Sequence, residues 1–439
     1  MTSKSDGPTG VAQNFVPGAQ VRQDWWRLYE SPLLNELIEH ALEQSPTVQA
    51  AQASLKQAQA LANSQRAGFF PTVQAGYLPM SQNTSNTIAP VLNSGENPFT
   101  LNTLQLSVGF NIDAFGLNRR TVEALDAQSQ NQKFLLDATN VTLATTVVST
   151  VVQLAGLQAQ LSATQDLIEA SKQALDILKG QEKLGFVSAI DVAAQETLLA
   201  QNEQLLPPLR KQLEQTRNQL AVLVGRLPSD AGSENFNIDE LQLPQSLPLS
   251  LPSQIVEQRP DIRAAEALLH SASAQVGVAV ASRLPQLSIS AAMGGMAVPF
   301  NQLFTNNNQF WTVGGSITQT LLDFGGLKYR QDAAEAALAV AGAQYKTTVL
   351  TAFQNIADTM YALDADAKAL GAASKAETAA KKIYDLTMQQ LKIGHVNTLT
   401  MLLAQQTYLQ AKVTRVQAQA NRLLDTAALF QSLGGGWSS

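Results

Sequence analysis

Cysteine is absent from the 439 residues, which excludes disulfides, thiolate zinc sites, cysteine nucleophiles and lipid attachment at Cys in this chain. Histidine is almost absent. His40, His270 and His395 lie 230 and 125 residues apart, so no local ligand pair such as H-E-x-x-H can form. Charge is scarce, at 15% of residues against about 25% in a typical soluble protein. The apolar fraction of 45% is ordinary, and Ala, Gln, Ser, Thr and Asn fill the gap. With 29 basic and 35 acidic residues the net charge of −6 gives no overall attraction for nucleic acid. No Walker-type glycine loop and no G-x-S-x-G elbow occur, so neither an enzyme nor a cofactor is expected. The first residues, Met1-Thr-Ser-Lys-Ser-Asp-Gly-Pro, carry no apolar h-region, so any secretory signal is expected to be already removed or never present. Ala138 to Gln165 is uncharged, yet Thr142, Thr145, Thr146, Ser149, Thr150, Gln153, Gln158 and Gln160 interrupt it. A buried bundle helix fits that segment better than a span of about 20 apolar residues.

The chain is duplicated. Pro46 to Pro71 matches Pro260 to Pro285 without a gap at an offset of 214, with both prolines and a run of Ala and Leu shared. Phe115-Gly116 matches Phe324-Gly325, and Lys183-Leu-Gly-Phe-Val187 matches Lys392-Ile-Gly-His-Val396, both at an offset of 209. Fixed-period self-similarity marks a repeated structural unit, here of about 200 residues. The five extra residues of the first copy are expected near Ser81 to Thr100.

Each copy reads as helix, two strands, very long helix, tight turn, helix. Ser45 and Pro46 form a cap and first-turn pair. Leu104, Leu106, Val108, Phe110 and Ile112 alternate with Gln105, Ser107, Gly109 and Asn111, the period of two of a strand whose faces meet different solvents. Leu287, Ile289, Ala291 and Met293, then Trp311, Val313 and Ile317, repeat the pattern. The expected segments are an N-terminal stretch 1–44, a first repeat 45–225 (strands about 71–83 and 101–113, helical hairpin about 118–225), and a Pro-rich linker 226–258. A second repeat follows over 259–432 (strands about 285–298 and 310–322, hairpin about 326–432), then a tail 433–439.

The long helices carry a seven-residue period. Val147, Leu154, Leu161, Ile168 and Leu175 are answered by Val192, Leu199, Leu206, Leu213 and Leu220. In the second copy Val349, Ile356, Leu363 and Leu370 are answered by Leu402, Leu409, Val416, Leu423 and Phe430. Such a repeat imposes a left-handed supercoil. A helix of roughly 62 residues spans about 93 Å, and the two shorter helices of each copy, about 23 and 37 residues in the first, sum to nearly the same length. They are expected to stack end to end beside it. Four amphipathic strands cannot close a barrel, and an open edge is not tolerated in lipid. Membrane barrels begin at about eight strands, so a cyclic dimer or trimer is required to pool them.

Asp24-Trp25-Trp26-Arg27-Leu28-Tyr29, Arg259-Pro260-Asp261-Ile262-Arg263-Ala264-Ala265-Glu266, Leu322-Asp323-Phe324-Gly325-Gly326 and the two K-[LI]-G-x-V turns resemble the TolC-type outer-membrane efflux protein family, closest to its NodT/OprM-like branch. The resemblance covers nearly the whole chain. It implies a mainly α fold with a membrane β-barrel: a long coiled-coil α-barrel plus a 12-stranded β-barrel formed by a homotrimer, four strands per chain. It also implies an equatorial region from residues 1–44, the linker and the tail, in the outer membrane of a Gram-negative bacterium. The implied partners are outer-membrane lipid, a periplasmic adaptor protein at the helical tips and an inner-membrane pump.

By the same resemblance Lys183, Gly185, Val187, Lys392, Gly394 and Val396 are the candidate adaptor contacts. The glycines are expected to supply left-handed helix ends. For a periplasmic gate, Thr400 and Leu403 stand where relatives often place an acidic constriction, and Leu399 matches a Leu that closes the pore in some relatives. A Leu there also serves as ordinary seam packing. Asp191 has two readings: Ser188-x-x-Asp191 has the pattern of a capping box, and a ring of Asp facing a pore would favour cations. Asp113 and Asp323 at the strand-to-helix junctions are expected to be turn or capping residues. Trp25, Trp26 and Trp437 are assigned to equatorial packing, and Trp311 and Tyr77 to interfacial anchoring. The expected function is passive export of small molecules such as drugs, with opening at the tips. Protein export in type I secretion and a soluble coiled-coil scaffold are the alternatives.

Overall fold

The computed structural model describes residues 13–19, 21–83, 85, 97–230, 234–249 and 256–437. The five-residue insertion expected near Ser81 to Thr100 falls largely outside them. The described chain folds as two compact units that do not follow the two sequence copies. One unit combines the chain up to Ser54 with Lys133–Ala264 and the chain from Lys346 onward; the other combines Leu55–Gln132 with Ala265–Tyr345. Each copy thus contributes to both.

The first unit is built on helical hairpins. Helix α3 (Leu117–Lys183) turns into α4 (Ala189–Leu223), and α6 (Gly326–Lys392) turns into α7 (Thr398–Ser432). Both long helices have 67 residues, a few more than the spacing alone suggested. The seven-residue series supplies the buried positions: Val147, Leu154, Leu220, Leu363, Leu402, Val416, Leu423 and Phe430 are all at most 3% exposed. The uncharged stretch of α3 is buried as expected: Val141, Leu143, Ala144, Val147, Val148, Val151, Val152, Leu154 and Ala155 are at most 6% exposed. Helix α4 runs without a break through Pro207 and Pro208, which lack the N–H groups that would bond the carbonyls one turn earlier.

Around the middle of α3 and the end of α7 gather the three segments assigned to the equator. Strand β1 (Asn14–Pro17) pairs in parallel with β4 (Ser246–Leu249). Helix α1 (Pro32–Gln44) is capped by Ser31, whose Oγ accepts from the Leu34 N–H. Ahead of it, Trp25 stacks on Phe430 at 5.0 Å and the Tyr29 hydroxyl donates to the Leu423 carbonyl at 2.9 Å. The Arg259 of the R-P-D motif holds Asp261 in a two-point pair (3.0 and 2.6 Å) and donates to the Ser432 carbonyl at 2.6 Å. It thereby ties the entry of helix α5 (Pro260–Ala281) to the exit of α7.

The repeat also shows in how each returning helix ends. Gly225 and Gly434 have φ of 76° and 94°, and in each case the next residue donates back five residues, Arg226 to Ala221 at 2.8 Å and Gly435 to Phe430 at 2.9 Å. A side chain at Gly225 would meet the Gln44 carbonyl at 2.8 Å, and one at Gly434 the Gln258 carbonyl at 3.1 Å. Gln44 and Gln258 are themselves 214 apart. Glycine is required twice for one contact.

The second unit holds a four-stranded antiparallel sheet in the order β2–β3–β5–β6, where β2 is Thr72–Gln82, β3 Phe99–Ile112, β5 Gln286–Ala297 and β6 Gln309–Thr318. Strand β6 ends four residues before the expected 322, because the chain leaves the sheet at the turn before α6. Helix α2 (Pro46–Arg66) enters this unit, where Arg66 pairs with Asp126 of α3 at 2.7 Å.

Candidate functional site

The register of the sheet sorts its side chains into two faces, since residues directly opposite in an antiparallel pair share a face. Val73, Val108, Ala291 and Val313 lie in one row; Ala75, Leu106, Met293 and Trp311 in the next; Phe110 with Ile289, and Ile112 with Leu287 and Ile317, continue it. The other face carries Gln74, Ser107, Ala292 and Thr312, then Gly109, Ser290 and Gly314, then Asn111, Ser288 and Ser316. Ser288 and Ser316 share a hydrogen bond of 2.7 Å there. The alternation read from the sequence holds over these rows in all four strands, one face apolar and the other rich in hydroxyls and amides, while Leu78, Met80, Met296 and Phe310 interrupt the second face toward the β2–β3 and β5–β6 connections. No Lys or Arg stands between Arg66 and Arg119 or between Arg283 and Lys328. Trp311 is exposed on the apolar face, and Tyr77 on the same face donates to Asn102 Oδ1 at 2.7 Å.

Both strand-to-helix junctions are closed by an aspartate, as expected. Asp113 accepts from the N–H groups of Asn118 and Arg119, each at 2.9 Å. Asp323 accepts from Gly325 and Leu327 at 3.1 and 2.5 Å, and these backbone donors, Leu327 first, hold its carboxyl below the usual carboxylate range.

At the hairpin turns Gly185 and Gly394 have φ of 79° and 76°. Phe186 donates to the Gln181 carbonyl and His395 to that of Gln390, both at 2.9 Å, the six-residue closure of a Schellman end. Ser188 and Asp191 form a reciprocal capping box: Asp191 accepts from the Ser188 N–H at 2.9 Å and its hydroxyl at 2.7 Å. Those two donors, the hydroxyl first, keep the exposed Asp191 carboxyl below its ordinary range. The second turn uses Asn397 as cap, accepting from Thr400 N and Oγ1 at 2.9 and 2.8 Å. Lys183 and Lys392 are exposed, while Val187 and Val396 are half-buried. The most exposed apolar side chains at the turns are others: Leu184, Phe186, Ile190 and Ile393, from 66% to 79% exposed. Sequence reasoning passed over them because an apolar residue at a helix end reads as core until its neighbours are known.

Between the two hairpins, Leu167, Ala170 and Ala174 of α3 pack with Leu402 and Leu409 of α7. Leu399 is half-buried against this cluster and against Leu175, Leu178 and Val192. Leu403, four residues on, points outward at 47% exposure. Ser171, 1% exposed, is a polar knot among these residues. Its Oγ donates to the Leu167 carbonyl at 2.8 Å and accepts from Asn202 of α4 at 2.8 Å and Gln406 of α7 at 3.0 Å. Within hairpins, Lys172–Glu203 and Lys179–Glu196 link α3 to α4 at 3.3 and 2.8 Å. Glu377–Arg415 at 2.7 Å and the stacked Tyr384–Tyr408 pair link α6 to α7.

Residues 37–226 and 251–435 match the family model described as outer membrane efflux protein. The pyoverdine export outer membrane protein OpmQ of Pseudomonas putida is 28% identical over 98% of this chain and 92% of its own length. The toluene efflux pump outer membrane protein TtgC of Pseudomonas putida is 27% identical over 98% of this chain and 89% of its own. The solved outer-membrane channel OprN superposes with a TM-score of 0.87 at 25% identity, covering 99% of this chain and 97% of that one. An apolar sheet face built without lysine or arginine, paired hairpins with glycine-closed turns and these matches lead to one conclusion: the chain belongs to the outer membrane efflux protein family and resides in the outer membrane.

Proposed function

We propose that three copies of this chain form the passive exit duct of a tripartite efflux system. The observation that carries the reading is the sheet's pair of free edges. With order β2–β3–β5–β6 and every pairing antiparallel, β2 and β6 run in opposite directions. The β6 edge of one copy can therefore pair antiparallel with β2 of the next, closing an all-antiparallel barrel of four strands per copy. Three copies give twelve, an even number within the range of bacterial barrels; the resemblance to the efflux family selects three over two. The apolar face then meets lipid and the hydroxyl and amide face lines the lumen.

The remaining parts follow from the same assembly. The exposed Leu184, Phe186, Ile190 and Ile393, with Lys183 and Lys392 beside them, form the surface offered to a periplasmic adaptor, and an inner-membrane pump supplies the energy. Opening is a two-state separation of the hairpins. The ion pairs within each hairpin stay closed, while the Leu167–Leu402–Leu409 cluster and the Gln406–Ser171 bond between hairpins give way. Leu399, with Leu403, Thr400 and Asp191 around it, forms the constriction that this movement widens. Small apolar or amphipathic molecules fit a duct whose walls carry little charge.

Light scattering of the purified protein in detergent tests the assembly. A protein mass near 3 × 47.0 kDa that requires detergent is the expected result. A monodisperse monomer or dimer without detergent supports a soluble scaffold instead.

A further inference from the structure

The connection between β5 and β6 does not loop away from the sheet but folds back over its apolar face. Two short 3-10 turns, Phe300–Gln302 and Asn306–Asn308, bring Leu303 to complete burial. A side chain at Gly295 would lie 2.0 Å from the Leu303 carbonyl oxygen, so glycine there is the condition for the fold-back. The segment is braced at both ends. Asn102 Nδ2 donates to the Val298 carbonyl at 2.8 Å, Phe300 meets the Tyr77 ring edge-on at 5.7 Å, and Asn308 Nδ2 donates to the Gln302 carbonyl at 2.9 Å.

The fold-back leaves an open cleft of about 540 Å³ on the apolar face, floored by Leu104, Leu106 and Met293 and walled by Leu303, Phe304 and Trp311. Its volume is that of a small-molecule site, and no charged residue lines it. The amides of Gln105 and Gln309 line it, and the fold-back carries further exposed amides at Asn301, Gln302, Asn306 and Asn307. The cleft is continuous with the face that the proposed barrel turns to lipid, and the family's outer-membrane location supplies the occupant.

We infer that this cleft binds one acyl chain of a membrane lipid, gripped by its hydrocarbon and not by its phosphate. Anionic headgroups are recognised by lysine and arginine, and the four strands with the β2–β3 and β5–β6 connections have neither. The chain packs along Met293 and Trp311 beneath Phe304, with its head at the amides. This inference rests on the proposed barrel.

Trp311 is the natural reporter, because the other three tryptophans, Trp25, Trp26 and Trp437, belong to the first unit. The full-length channel in detergent micelles is titrated with phosphatidylcholine bearing a dibrominated acyl chain, and tryptophan emission is read. The expected result is saturable quenching at one lipid per chain, reversed by unbrominated lipid and equal for phosphatidylglycerol with the same chain. Phe304→Ser, an exposed position, should raise the half-saturation concentration by about fivefold or more. Gly295→Val, which displaces the fold-back, should abolish saturation. Quenching that grows linearly with lipid and is the same in Phe304→Ser overturns the cleft while leaving the barrel in lipid. No quenching at any lipid concentration overturns both. Much tighter binding of the anionic lipid overturns the claim that the hydrocarbon alone is recognised.

Discussion

Asp366 on α6 shows how one carboxylate can set a pH dependence. Burial first, and then the neighbouring Asp425 of α7, push it up to about 6, against the pull of the buried Arg422 beside it. Arg422 in turn donates to Gln13 Oε1 at 3.4 Å. Because the folded value lies above the unfolded one of about 3.9, folding favours the protonated acid. Its contribution is complete below about pH 4 and is lost as pH rises through about 6. Asp366→Asn keeps the neutral form at every pH. It should stabilise the protein by on the order of 1 kcal/mol near pH 7.5, a figure reduced for solvent access, and by nothing near pH 4. Circular-dichroism melts at the two pH values check this; the same offset at both would take the carboxyl out of the account. Leu399 makes a sharper case at the proposed constriction. Replacing it by Ala should raise single-channel conductance in planar bilayers if its side chain narrows the pore, whereas lower thermal stability with unchanged conductance assigns it to the seam alone. Aspartate 191 needs no such choice for its capping role, which Ser188 already fixes.

At the scale of elements, the Ser171 knot couples three helices through one hydroxyl. Ser171→Ala removes the acceptor shared by the Asn202 and Gln406 amides and should cost about 1–3 kcal/mol in denaturant unfolding. Gln406→Ala removes only the link between hairpins. It should cost less, about 0.5–1.5 kcal/mol, and raise the open probability in bilayer recordings. Much at this scale was legible in the sequence. The seven-residue series named the buried seams, the alternation named the strand faces, and the glycines of the K-x-G turns named the helix ends, because each rests on a local period or a single backbone requirement. The knot was not legible. Ser171, Asn202 and Gln406 are ordinary polar residues in amphipathic helices until the fold brings them together. The role of Arg259 was hidden for the same reason, since its partner carbonyl at Ser432 lies 173 residues away. The fold-back over Gly295 was missed because Gly294-Gly295 in a strand signals only a bulge or a close approach, not which segment approaches.

The whole assembly is set by what one chain leaves incomplete. Its sheet has two edges, and a cysteine-free sequence makes their closure easy to test. Single cysteines placed on β2 at Gln74 or Gly76 and on β6 at Thr312 or Gly314, combined pairwise, should yield covalent trimers on oxidation in at least one combination, since a disulfide needs Cα atoms within about 4.4–6.8 Å. Single-site variants should stay monomeric on denaturing gels. Failure of every combination would separate the edges and undo the barrel.

The proline pair in α4 gives the two hairpins unequal mechanics. Pro207 and Pro208 leave the carbonyls of Glu203 and Gln204 without helical donors, and all four residues face solvent. At the offset of 209 the second copy has Val416 and Gln417, inside α7, which contains no proline. Duplication has therefore produced one spar with a fold line and one without. Bending concentrates where hydrogen bonds are already missing, so the first hairpin can yield along its returning helix while the second swings as a stiff lever.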